Sequence, residues 1–192
     1  DLGSPEGRAA MDELLATANV FVQGYRPGAL AALGYGCDEV VARRPDKVNR
    51  LVLAGTSAAF GRTNDGHRAE AWAQRFIAER TAPLDAGQSM ADLARTVVPR
   101  MVGPGALPEG LRLAEHCLGG VPAATYRRAL DCLVTFDRQR ALADIRVPTL
   151  LIGGEFDRVA APSVLKQMAE AIPRARYAEI KGIGHLMNLE AP

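Results

Sequence analysis

The sequence has no run of about 18 consecutive apolar residues, so no helix is expected to cross a membrane. It has no block of like charge. Its 23 Lys and Arg face 22 Asp and Glu, a net charge of +1. That balance gives no electrostatic basis for holding nucleic acid or an anionic membrane surface. Cysteine is scarce. Cys37, Cys117 and Cys132 are odd in number and widely spaced, so they form neither a disulfide framework nor a metal-ligand pattern. They are expected as buried or half-buried thiols in a reducing compartment. No charged-then-apolar leader opens the chain at Asp1, and a cytoplasmic location is expected. No cofactor is implied, and no internal repeat or low-complexity run is present. The chain opens without Met and closes at Glu190-Ala191-Pro192, where a helix is starting, so a fragment or hybrid is expected.

What is there is a globular composition of 192 residues, 48% apolar and 23% charged. Ser4-Pro5-Glu6 is a helix opening, with a capping side chain, a proline in the first turn and an acid at the positive end. Leu14 and Leu15 give that helix an apolar stripe. Short apolar runs predict strands at 19–23, 48–54, 147–153 and 176–181. Residues 67–134 carry no strand pattern. Trp72, Phe76, Ile77 and Arg80 recur at helical steps, as do Met90, Leu93, Val97 and Met101. Pro83, Pro99, Pro104, Pro108 and Pro122 punctuate this stretch. Strands separated by helices imply parallel pairing. The expected fold is therefore α/β, with about four parallel strands. Residues 1–66 and 135–192 form the core, and 67–134 form an inserted helical lobe.

The chemistry concentrates near the C-terminus. Val147-Pro148-Thr149-Leu150-Leu151-Ile152-Gly153-Gly154-Glu155-Phe156-Asp157 is a buried strand that leaves through a glycine pair and presents a carboxylate. Lys181-Gly182-Ile183-Gly184-His185 follows the next strand and presents an imidazole. An acid and a histidine at the ends of neighbouring parallel strands are the acid–base half of a nucleophilic triad.

These motifs resemble the α/β-hydrolase superfamily. Arg44-Pro45-Asp46 and Val48–Ser57 are similar to that family's sixth strand and its approach. Val147–Asp157 is similar to the seventh strand and acid turn, and Gly182–Pro192 to the histidine loop. The resemblance implies a capped hydrolase, nearest to lactonase- and esterase-like members, with residues 67–134 as the cap. It also implies Asp157 and His185 as catalytic residues, Asp157 orienting His185 as general base. The first 44 residues resemble family III CoA-transferases instead, through Asp1–Ala10 and Ala18–Leu30 with the signature Tyr25-Arg26-Pro27-Gly28. No residue here matches that family's catalytic aspartate.

The nucleophile is the open question. An elbow needs small residues on both sides of the nucleophile, because its turn is strained. Gly24-Tyr25-Arg26-Pro27-Gly28 stands in register but centres on Arg26, whose guanidinium stays protonated and cannot attack a carbonyl. Arg26 suits an anion such as a carboxylate or phosphate. Gly55-Thr56-Ser57-Ala58-Ala59 offers Ser57 in the order Ser, acid, His. It lies one strand late, and no helical pattern follows it.

Three functions stay open on sequence. One is a hydrolase-derived protein that keeps Asp157 and His185 without a usable serine and takes a small apolar ester- or lactone-like molecule. Another is a non-catalytic binding or interaction module around Trp72 and Phe76. The third is a CoA-binding segment. An exposed sheet edge would favour self-association.

Overall fold

A computed structural model of the chain describes residues 4–17, 48–61 and 70–192. The expected strand at 19–23, Arg26 and Cys37 lie outside the described residues.

Helix α1 spans Pro5–Thr17. Its start follows from Ser4, whose Oγ accepts a hydrogen bond from the Gly7 amide at 3.0 Å and so satisfies one of the free first-turn donors. None of its residues is buried, and Leu14 is 65% exposed, so the expected apolar stripe meets no core among the described residues.

The sheet has three strands among the described residues: β1 (Leu51–Ala54), β2 (Thr149–Gly154) and β3 (Ala175–Ile180). They lie in the order β1-β2-β3, all parallel. Leu51 pairs with Thr149, and Gly154 pairs with Ile180. The central strand is mostly buried, as a parallel strand covered on both faces must be. Strand β2 begins at Thr149 rather than Val147. Pro148 contributes no N–H to a ladder, and its carbonyl accepts from the Leu51 amide at 3.0 Å. Gly153 and Gly154 belong to the strand instead of ending it.

The helical stretch comprises α2 (Glu70–Asp85), α3 (Met90–Val97), α4 (Pro108–Gly119) and α5 (Ala123–Thr135). Ser89 and Asp92 start α3 with a reciprocal capping box: the Asp92 amide donates to Ser89 Oγ at 3.2 Å, and the Ser89 amide donates to Asp92 Oδ2 at 2.9 Å. Pro108 sits at the first position of α4, where its missing N–H costs nothing. Pro83 lies inside α2 rather than ending it. The helix stops two residues later, at Asp85, so the lost bond falls in its last turn. After α3 the chain tightens into a single 3₁₀ turn, Val98–Arg100, and Val98 takes the buried position expected of Val97. Cys117 is exposed, contrary to expectation, because α4 buries none of its residues; Cys132 is half-buried.

The last two helices are α6 (Pro162–Ala171), which links β2 to β3, and the single turn α7 (Met187–Glu190). One hydrophobic cluster gathers Leu151, Leu165, Met168 and Ile172 with Leu142, Ile145 and Ala58. A second gathers Ala73, Phe76, Leu130 and Val134, with Phe60 and Trp72 packed on it. The rings of Phe60, Trp72 and Phe76 contact one another at centroid distances of 5.0–5.7 Å. The two ends of the helical stretch are tied together. Ala59 and Asp137 form an isolated antiparallel bridge, and the Arg138 amide donates to the Ala58 carbonyl at 2.6 Å.

An exposed charge cluster stands on β3 and beside it. Lys181 Nζ lies 2.8 Å from Glu179 and 3.2 Å from Glu155, and Lys166 Nζ lies 3.3 Å from Glu179. Hydrogen bonds from Lys181 first, then from Lys166, hold the Glu179 carboxyl down at about 2 from its ordinary 4.5. A folded-state value below the unfolded one contributes stability above about 4.5 that is lost as pH falls toward about 2. The urea midpoint of the native chain should therefore fall more steeply between those pH values than that of Glu179→Gln. Equal slopes would show that solvent screens the cluster fully.

Candidate functional site

Parallel strands aim their carboxyl ends at one edge of the sheet, and the loops that leave that edge collect the polar side chains. Here β1 leaves through Gly55, β2 through Glu155–Asp157 and β3 through Lys181–His185. Asp157 and His185 are 28 residues apart in sequence and meet at this edge: His185 Nδ1 lies 2.9 Å from Asp157 Oδ2.

The carboxylate is held by contacts besides the histidine. Asp157 Oδ1 accepts from the amides of Val159 and Ala160, each at 2.8 Å, as an aspartate does at the mouth of a turn. Its side chain is fully buried, so these donors and the imidazole are what keep its charge solvated. His185 is 20% exposed at the side chain. With Nδ1 engaged by a carboxylate, the neutral ring carries its proton there and Nε2 holds the free lone pair. A ring in that tautomer can take up a proton at Nε2.

Close backbone approach makes this meeting possible. A Cβ on Gly154 would collide with the Gly184 carbonyl oxygen and lie 2.5 Å from that of Ile183. A Cβ on Gly184 would lie 2.5 Å from the Gly103 amide nitrogen and 2.6 Å from the Met101 carbonyl oxygen. Of the glycine pair seen in the sequence, Gly154 thus serves packing of the histidine loop, and Gly153 makes room for the Leu165 and Tyr177 side chains. Gly55, at φ 51°, takes the left-handed turn that brings the end of β1 to the histidine. Its ideal Cβ position lies 3.5 Å from His185 Nδ1.

Two carboxylates pin the loop, and neither was singled out from sequence. Glu155 accepts from the Gly182 amide at 3.0 Å. Glu190, 8% exposed, accepts from the amides of Gly184, Gly103 and Leu186 at 2.9, 2.6 and 3.1 Å. The available signal was a glutamate five residues after His185, within a short apolar segment. The His185 amide itself donates to the Met101 carbonyl at 2.6 Å.

Ser57 is half-buried in the turn after β1. Among the described residues no hydrogen bond joins it to His185, whose side-chain partner is Asp157. No group of three His, Cys, Asp or Glu able to hold a metal ion occurs among the described residues. No described helix is long and apolar enough to cross a membrane.

The chain is similar to known proteins along most of its length. It is 33% identical over 181 residues to the pimeloyl-[acyl-carrier protein] methyl ester esterase of Aromatoleum aromaticum, covering 89% of this chain and 68% of that protein. It is 28% identical over 173 residues to the polyketide synthase ThaQ of Burkholderia thailandensis, covering 84% of this chain and 8% of that much longer protein. Among solved structures it superposes on the enol-lactonase of Burkholderia xenovorans LB400 with a TM-score of 0.65 and 24% identity, over 83% of this chain and 57% of that one. The chain thus spans just over half of that enzyme. A family model described as CoA-transferase family III matches residues 1–91. That match runs through β1 and α2, past the 44 residues in which the sequence signature stands.

Proposed function

The chain belongs to the α/β-hydrolase superfamily, and from that premise we propose that it keeps the acid–base pair of an ester or lactone hydrolase, Asp157 and His185, without a serine in register to serve it. The single observation behind this reading is the 2.9 Å contact from His185 Nδ1 to a buried carboxylate whose other oxygen is already held by two amides. In such a pair the carboxylate fixes the imidazole tautomer, and Nε2 takes the proton of an attacking hydroxyl. Substrates of ester or lactone type fit that chemistry, because their carbonyls are opened by an activated oxygen nucleophile. The helices of 67–134 are then the cap over the site. The hydroxyl is what this chain does not present in register: the elbow centres on Arg26, and Ser57 makes no hydrogen bond to the base.

Hydrolysis of p-nitrophenyl butyrate tests this. Removing the serine of an intact triad costs on the order of 10⁶ in kcat. The native chain, Ser57→Ala and His185→Ala should therefore release p-nitrophenol at one common background rate. A fluorophosphonate should leave no adduct on Ser57 by mass spectrometry. Turnover that disappears in Ser57→Ala would overturn the reading and make Ser57 the nucleophile.

A further inference from the structure

Among the described residues, Glu190 is the one buried carboxylate that the acid–base pair does not use. Its two oxygens take three backbone donors from three places: Leu186 within its own turn, Gly184 in the histidine loop, and Gly103 from 87 residues earlier, in the turn after α3. The same turn supplies the Met101 carbonyl that accepts from the His185 amide at 2.6 Å. The turn at 101–103 and the loop at 184–186 are therefore stitched together twice, once directly and once through Glu190. The two backbones touch with no side chain between them, since a Cβ on Gly103 would collide with the Gly182 carbonyl oxygen.

From this geometry we infer that Glu190 is a positioning residue: it clamps the 101–103 turn to the histidine loop, so the seat of the helical stretch sets the orientation of His185 toward Asp157. The physical reason is acceptor count. Gly103 and Gly184 bring buried N–H groups to one point, and a buried donor without an acceptor is costly. A carboxylate has about four lone-pair sites on two oxygens and can take all three donors at once. An alanine takes none. A glutamine offers one carbonyl oxygen and replaces the other acceptor with a donor, so it can hold Gly103 and Gly184 but turns an NH₂ group toward Leu186. The inference deepens the acid–base reading above and rests on it.

The test observes the histidine and not turnover. In ¹⁵N-labelled protein, the Nδ1–H resonance of His185, identified by its absence in His185→Gln, reports the bond to Asp157. Glu190→Ala should stay folded by circular dichroism and lose that resonance to exchange, and Glu190→Gln should retain it. A folded Glu190→Ala with the resonance unchanged would overturn the clamp. If Glu190→Ala does not fold, amide hydrogen exchange of the native chain decides. Gly103 and Gly184 should then show matching protection, because one carboxylate holds both, and free exchange at Gly103 beside a protected Gly184 would overturn it. Asp157→Asn separates the two ideas. If it leaves the resonance in place, the acid–base pairing fails. If it removes the resonance while Glu190→Ala does not, only the clamp fails.

Discussion

Replacing Gly154 with alanine should separate His185 from Asp157 while leaving the rest of the sheet paired. The added methyl group would meet the carbonyl oxygens of Gly184 and Ile183, with the Ile183 carbonyl carbon 2.9 Å away. All three are backbone atoms, so no side-chain rotation relieves the clash. The histidine loop must move, and it is held on its far side by Glu190 and Met101. Overpacking of this kind typically costs about 1–3 kcal/mol. The value here should lie near the upper end, about 3 kcal/mol, because both neighbours are fixed. For a chain of this length that lowers Tm by roughly 2–4 °C per kcal/mol. The Asp157 turn has its own hydrogen bonds from Val159 and Ala160 and should survive. The diagnostic result is a folded protein with a lowered denaturation midpoint and no His185–Asp157 bond by NMR. An unchanged midpoint would mean that the loop seats more loosely than its backbone contacts indicate.

Leu165→Ala should give the largest loss of stability. Leu165 is fully buried in α6 and belongs to the cluster that joins the helix to β2 and β3. Its Cδ1 lies 2.7 Å from where a Cβ on Gly153 would stand, so the strand has already yielded volume to it. Truncation removes the methine and both methyl groups and leaves a cavity against a backbone that cannot collapse inward without breaking the β2 ladder. Core Leu→Ala changes cost about 2–5 kcal/mol. Urea denaturation read at the midpoint would check this. A cost under about 1 kcal/mol would show that α6 repacks freely. Because the Asp157 carboxylate has its own hydrogen bonds from the Val159 and Ala160 amides, the histidine resonance should persist in the folded fraction. That contrast distinguishes a core lesion from the Gly154→Ala lesion.

The CoA-transferase family III match covers residues 1–91 and the esterase alignment 89% of the chain, so the two likenesses share part of it. The esterase alignment covers 89% of the chain, more than the part from Pro45 onward. The family match extends to residue 91, into α3. The sequence signatures of the two families stand on either side of Arg44-Pro45. Such signatures mark where each family is easiest to see, and the similarity itself runs further.

The sequence alone determined what depends on neighbours in the chain. Alternation of apolar runs and glycine turns located β1, β2 and β3 to within three residues at either end. Ser4 marked a helix start because capping is a contact three residues long. Asp157 and His185 were legible because each follows its own strand at the edge where parallel strands deliver side chains. Tertiary structure decided everything that depends on approach across the chain. Only there does Gly154 prove to be a contact surface for Gly184, Leu14 an exposed side chain and Glu190 a buried acceptor for an amide 87 residues away. Local pattern encodes periodicity and turn chemistry. It does not encode which two loops will be brought within hydrogen-bond distance, because that is fixed by the packing of whole strands and helices.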